Sequence, residues 1–287
     1  MLRISSCSAL LCAALATVAG AQDDPSWTEP FAPFRVAGNL FFVGTRGISS
    51  YLLTTPDGHI LIDTGLDQTV AQIRANVENL GFAPRDIKII LSSHAHYDHV
   101  GGHAEMQRQT GATVMAVGED AAALSEGRDN SALGGPGWKP VKVGRILRDG
   151  DTVTLGGTTL TAHLTAGHTK GCTTWTTTVT EAGKPLRVVL VGGTSVNAGV
   201  QLVGNSRHPS IAADYERTFG VLKELQADIF LAQHPNMFEM EQKVARLKAG
   251  GNPFIDPDGY REFVAAAERS YLARLKRERD GGAQRFQ

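Results

Sequence analysis

Residues 94–99 read His94-Ala95-His96-Tyr97-Asp98-His99, which puts three imidazoles and a carboxylate into six positions. Imidazole and carboxylate are the side chains that bind a borderline divalent metal such as zinc. His94 and His96, two apart on an extended segment, point the same way and can close on one ion. Asp98 and His99 turn away from that pair and can serve a second ion. A lone histidine is more often packed or solvated than ligating, and short motifs carry a false-positive risk. Four donors at H-x-H-x-D-H spacing seldom arise by accident. The chain has 9 histidines, and several read as ordinary. His59 after the turn Pro56-Asp57-Gly58 and His208 before Pro209 read as surface-loop residues. His163 reads as a strand residue. His103, after Gly101-Gly102, sits behind the donors or has no role.

The run at 94–99 needs elements to hold it. Residues 87–91 are an apolar strand ending just before it, and α/β folds present chemistry where strands end in loops. Further strands are expected at 40–43, 51–53 and 60–62, the last two joined by turn chemistry at 56–58. Asp67 can cap a helix with apolar face Val70, Ile73, Val77 and Leu80, stopped by Gly81. A helix at 102–109, a strand at 113–116 and a Gly/Pro/Asn-rich loop at 128–139 follow, the loop flanking a substrate cleft. Then come a hairpin at 153–164 and strands at 173–179 and 187–191. Ser210 can cap a helix at 211–225, before a short strand at 229–231. A closing helix carries the stripe Phe263, Ala267, Tyr271 and Leu275 and frays after Arg279. Residues 22–33 read as an extended arm.

Two more histidines stand where a strand gives way to a loop. His168 lies in Thr165-Ala166-Gly167-His168-Thr169, and His234 follows Ile229-Phe230-Leu231. Alone, each reads as structural; beside a metal cluster, both become candidates to complete it. Asp63, ending Leu61-Ile62-Asp63, either caps a turn or holds the histidine loop in place, and the second role is expected.

The order of elements, strands first and then alternating strands and helices, predicts an α/β fold: an αββα sandwich of two mixed sheets flanked by helices. At 287 residues the chain can bury a full core. A formal net charge of -1 gives no basic surface for nucleic acid or anionic membrane. Residues 1–21 read as a secretory signal: Arg3, an apolar run at 9–18, and the cleavage site Ala19-Gly20-Ala21. The run is too short to span a bilayer, and Cys12 lacks a lipoprotein context, so no membrane anchor is expected. Cys7 and Cys12 leave with the signal, so Cys172 stands alone and no internal disulfide forms. Residues 22–287 are then one catalytic domain, addressed to the periplasm, with monomer as the default state.

Together H-x-H-x-D-H, the strand-end Asp63, Gly167-His168-Thr169 and the late His234 resemble the metallo-β-lactamase superfamily, from about Phe34 to Tyr271. The resemblance implies the αββα sandwich with a dinuclear zinc site at the edge of its sheets. It implies His94, His96 and His168 on one zinc, and Asp98, His99 and His234 on the other. Superfamily hydrolases similar to glyoxalase II carry a bridging aspartate in a later Gly-Asp-Thr segment, and subclass B1 lactamases carry a cysteine there. Here that segment is Val191-Gly192-Gly193-Thr194-Ser195, with neither, and Cys172 reads as a small packed residue. The remaining set is most similar to subclass B3 enzymes, from which Ala166, in place of a common proline, and the charge of Lys170 depart. The implied activity is hydrolysis of the β-lactam amide of penicillins, cephalosporins and carbapenems, conferring antibiotic resistance, with Asp98 orienting the attacking water. Thr194 and Ser195 are candidates to hydrogen-bond the substrate carboxylate, and Tyr97 and Trp138 to wall the cleft. Fold alone does not choose among activities. A lactonase, a thioesterase or a phosphodiesterase on the same site is the alternative, though its usual bridging aspartate is absent. A non-catalytic zinc-binding protein fits less well, because two three-ligand sites leave positions open.

Overall fold

The computed structural model describes residues 24–247 and 250–283; the expected export signal at 1–21 lies outside the described residues. A 3-10 turn, Pro25–Trp27, precedes strands β1 (Phe34–Ala37), β2 (Leu40–Phe42), β3 (Tyr51–Thr55) and β4 (Gly58–Ile62). Helix α1 (Val70–Asn79), strand β5 (Ile87–Leu91), the short helix α2 (Tyr97–Val100), helix α3 (His103–Thr110) and strand β6 (Thr113–Val117) come next. Helix α4 (Gly118–Glu126) and strand β7 (Val143–Leu147) complete the first half. The second half runs β8 (Thr152–Leu155), β9 (Thr158–Leu164), β10 (Thr173–Glu181), β11 (Lys184–Val191), α5 (Ile211–Glu224), β12 (Ile229–Ala232), α6 (Met240–Leu247) and α7 (Pro257–Ala283).

Strands β1 to β7 form one sheet in sequence order, and the other runs β12-β11-β10-β9-β8. The first is antiparallel from β1 to β4 and parallel from β4 to β7. In the second only β11 and β12 are parallel. Side chains alternate across a strand, and here each direction meets a different core. Tyr51 and Leu53 of β3, with Ile60 and Ile62 of β4, face the core between the sheets. Leu52 and Leu61 face the opposite way, onto Ile73 and Val77 of α1, Met106 of α3 and Leu124 of α4. Covering on both faces buries every residue of β4, which explains its apolar run Ile60-Leu61-Ile62. On the far side, Phe219 and Leu222 of α5 and Val264 and Tyr271 of α7 join the core of the second sheet. The layers are helix, sheet, sheet, helix, the expected αββα sandwich. Full burial of one such side chain contributes about 1.5–3 kcal/mol. Trp175 of β10 is fully buried, and its indole N–H donates to the Ser92 carbonyl at 3.0 Å, tying the second sheet to the end of β5.

Several local expectations are corrected. His59 is a buried β4 residue edge-on to Phe82, and His208 is buried with Nε2 2.8 Å from Asp214; neither is a surface-loop residue. Asp67 caps no helix: its carboxylate pairs with Lys139 at 2.8 Å, and the residue before α1 is Thr69. Ser210 precedes α5, but its hydroxyl donates to the Asp214 carboxylate rather than capping a backbone amide. The arm before β1 contains the 3-10 turn, and α7 continues past Arg279 to Ala283. Helices α4 and α6 and strands β1 and β7 lay outside the expected elements. The residue before α4 is Val117, with no side-chain cap, and the middle of β7 is exposed, so neither carries the usual pattern.

Candidate metal centre

The parallel arrangement brings the C-terminal ends of β4, β5 and β12 to one edge of the sandwich, where β9 also ends. Asp63 leaves β4, the loop 92–96 leaves β5, His168 follows β9, and His234 follows β12. His94, His96 and His168 each offer a ring nitrogen, all three within 4.8 Å of one another. Their ring centroids are 4.8, 4.6 and 4.7 Å apart, a nearly equilateral triangle. Donor atoms of His94, Asp98 and His99 form a second group of the same size. Asp98 Oδ2 lies 3.1 Å from His99 Nε2 and 3.5 Å from His234 Nε2, so His234 converges on this second group through Asp98.

Hydrogen bonds on the outward nitrogens fix which inward nitrogens carry lone pairs. His168 Nδ1–H donates to the Ser195 carbonyl at 2.7 Å, and His234 Nδ1–H donates to the Gly47 carbonyl at 2.9 Å. A carbonyl only accepts, so both rings turn an Nε2 lone pair inward. Ser93 donates its hydroxyl hydrogen to Asp63 Oδ2 at 2.6 Å and so accepts from His94 Nδ1–H at 3.1 Å. His96 is reversed: its Nε2 lies 3.2 Å from Ser131 Oγ and 3.8 Å from Asp129, which leaves Nδ1 facing the site. This tautomer control by outer groups is what a metal-binding histidine requires.

Electrostatics point the same way. Burial, reinforced by the neighbouring imidazoles, pushes the His94 pKa far down, and that of His168 to about 3. Burial also brings His96 to about 4, outweighing Asp98. Neutral imidazole is the form that binds a metal. At His99 burial opposes charge, but Asp98 and Asp63 outweigh it and raise the pKa to about 10. At Asp98 burial opposes ionisation, but the surrounding histidines, His99 foremost, hold the carboxyl below its usual range. Both His99 ring nitrogens are buried without a hydrogen bond. Converging lone pairs, an ionised carboxylate and an orphaned buried ring together fit a divalent cation.

The other expected residues are placed as follows. Asp63 has a left-handed backbone, φ 59°, and accepts from Ser93 N at 2.7 Å as well as from its hydroxyl. Thr194 is buried and Ser195 exposed; the Ser195 carbonyl also accepts from Tyr215 OH at 2.7 Å. Cys172 is buried, with Gly193 N–H donating to its sulfur at 3.0 Å. A Cβ on Gly193 would come within 2.3 Å of the His168 ring, so no carboxylate can stand there without displacing that histidine. His103 is buried between the Thr64 and Ser92 hydroxyls, away from the donor groups. Lys170 pairs with Glu119 at 3.1 Å. Tyr97 and Trp138 line an open concavity of about 730 Å³. Sequence reasoning missed Trp27, stacked on His234 at 5.9 Å, the pair Asp129 and Ser131, and the buried Asp120. Their only signal was position: Trp27 in the proline-punctuated arm, Asp129 and Ser131 in the loop at 128–139.

A sandwich of two mixed sheets with a histidine-rich centre at its edge defines a metal-dependent hydrolase. Residues 43–234 match the family model of the metallo-β-lactamase superfamily, and the chain belongs to that family. The native FEZ-1 metallo-β-lactamase from Legionella gormanii is 41% identical, with a TM-score of 0.86 over 88% of this chain and 98% of that one. The class B3 di-zinc metallo-β-lactamase LRA-12 from an Alaskan soil metagenome is 34% identical, with a TM-score of 0.84 over 89% and 98%. A metal-dependent hydrolase from Rubrobacter xylanophilus is 30% identical over 185 residues, 59% of this chain and 69% of that protein.

Proposed function

We propose that this protein is a di-zinc β-lactamase that opens the amide of penicillins, cephalosporins and carbapenems and so confers resistance to them. His94, His96 and His168 hold one zinc ion; Asp98, His99 and His234 hold the other. The observation that carries this reading is the donor set, five imidazoles and one carboxylate, with Gly193 where other hydrolases of the superfamily bring a bridging aspartate. Its similarity to the B3 enzyme LRA-12, described as di-zinc, supports the metal and the count. When bound, two zinc ions supply Lewis acidity toward the lactam carbonyl and an acidified water at neutral pH. Asp98, held ionised by the surrounding histidines, would orient an attacking water by accepting its hydrogen bond. The Ser195 carbonyl holds His168 in the tautomer the site needs. Thr194 and Ser195 donate hydrogen bonds to the substrate carboxylate, and Tyr97 and Trp138 bound the cleft. The signal pattern at 1–21 supports a periplasmic address, and monomer remains the expected state. Among the described residues no helix is long and apolar enough to cross a membrane.

Hydrolysis of a carbapenem by the purified chain, with and without a chelator, tests the reading. Turnover removed by the chelator and restored by zinc is expected. A protein that holds two zinc ions yet turns over neither carbapenem nor cephalosporin would overturn the lactam assignment and favour a lactone or thioester substrate.

A further inference from the structure

Asp120 lies in the first turn of α4 and belongs to neither donor group, yet it touches both loops that carry the histidine triangle. Its side chain is buried, 1% exposed. Oδ2 accepts from Ala95 N at 2.8 Å and from Thr169 Oγ1 at 2.6 Å; Oδ1 accepts from Gly171 N at 2.8 Å. Ala95 separates His94 from His96, and Thr169 follows His168. One carboxylate therefore spans the two segments that must stay in register for three imidazoles to meet. The approach is close: a Cβ on Gly171 would stand 2.3 Å from the Val117 carbonyl and 2.6 Å from Asp120 N. The loop after His168 is thus pressed onto the start of α4. The other trio is braced elsewhere, His99 beside Asp63 at 3.4 Å and His234 by the Gly47 carbonyl.

We infer that Asp120 is a positioning residue for the His94–His96–His168 site alone: it sets the distance of His168 from the other two histidines and thereby that site's metal affinity. The inference rests on the ligand assignment proposed above. A buried acceptor with three donors is a rigid strut, because losing it leaves each donor buried and unpaired. The donors lie on different loops, so the loss is felt as relative displacement of the loops and not as a local defect in α4.

Stepwise binding of zinc against a chromophoric competitor, repeated with cobalt(II) to tell the sites apart by absorption, tests this on the full chain. Asp120→Asn replaces an acceptor with a donor facing an N–H or the Thr169 hydroxyl. Thr169→Val removes one link only, and Thr169→Ser keeps it. Asp120→Asn and Thr169→Val are expected to weaken one of two binding steps by about 10–100-fold, as loss of an outer support does. The other step stays unchanged, and Thr169→Ser binds like the parent. Equal weakening of both steps, no weakening of either, or a Thr169→Ser protein as weak as Thr169→Val would overturn the inference. Should Asp120→Asn fail to fold, the Thr169 pair decides alone. A parent protein that binds fewer than two zinc ions would overturn the ligand assignment itself, a result seen before any variant is made.

Discussion

Ser93 belongs to neither donor group, yet it decides the protonation pattern of a histidine that does. Its hydroxyl has a single hydrogen, spent on Asp63, so its oxygen can only accept from His94 Nδ1–H. The chain from Asp63 through Ser93 to His94 is directional, and it starts from a residue held at a positive φ that a non-glycine residue seldom adopts. Ser93→Ala should lower zinc affinity by about 10–100-fold, since His94 loses the partner that fixes its tautomer. The fold should lose only about 1–3 kcal/mol, from a buried carboxylate deprived of one donor. A competition titration and a thermal melt measure the two effects separately. Zinc affinity equal to the parent's would reject the relay, whatever the melt reports.

At the scale of elements, the loop after β11 illustrates how a site excludes a ligand as well as assembling one. Gly193 packs against His168 so closely that a methyl group would sit 2.3–2.4 Å from ring atoms. Gly193→Ala should push His168 out of the triangle and remove most turnover while leaving the melting temperature within a few degrees, because Gly193 lies in the loop beyond the end of β11 and not in the sheet itself. Activity like the parent's would show that His168 has slack. The same scale explains what could be read from the chain alone. The cluster at 94–99 and the strand-end positions of His168 and His234 were legible because strand ends are marked by apolar runs. The strands themselves were legible where both faces are buried, as in β4. Helix α4 was not, since neither a cap nor an apolar stripe announces it, and with it went Asp120, which as an acidic residue in a first helical turn looks like a partner of the helix dipole. His59 and His208 were misread because adjacent turn residues signal exposure, whereas Phe82 and Asp214 are brought to them from elsewhere in the fold. Trp27 reaches His234 across about two hundred residues of chain, a contact that local pattern does not encode.

For the whole molecule, gathering these groups in one place couples stability to pH and to metal. In metal-free protein, His96 has a folded pKa near 4, below its unfolded value of about 6.5. Between those values only the unfolded chain takes the proton, so stability falls as pH drops from 6.5 toward 4, by about 3 kcal/mol in all. His99 behaves in the opposite sense. Its folded pKa near 10 means that it binds a proton in the fold which the unfolded chain lacks above 6.5. Its stabilisation is complete below 6.5 and is lost as pH rises toward 10. Metal-free protein should therefore melt highest near pH 6.5 and lower on either side. Metal binding requires neutral His99 and so displaces that proton, and its affinity grows as protons become scarce. At a metal concentration 100 times the dissociation constant, one site contributes about 2.7 kcal/mol, roughly 5–10 °C for a chain of this size. The difference in melting temperature between zinc-loaded and chelated protein should thus widen steadily from pH 5 to pH 9. Calorimetric melts across that range, with and without chelator, measure it directly. A difference that narrows toward alkaline pH would mean that metal does not displace the His99 proton, and His99 would leave the ligand set.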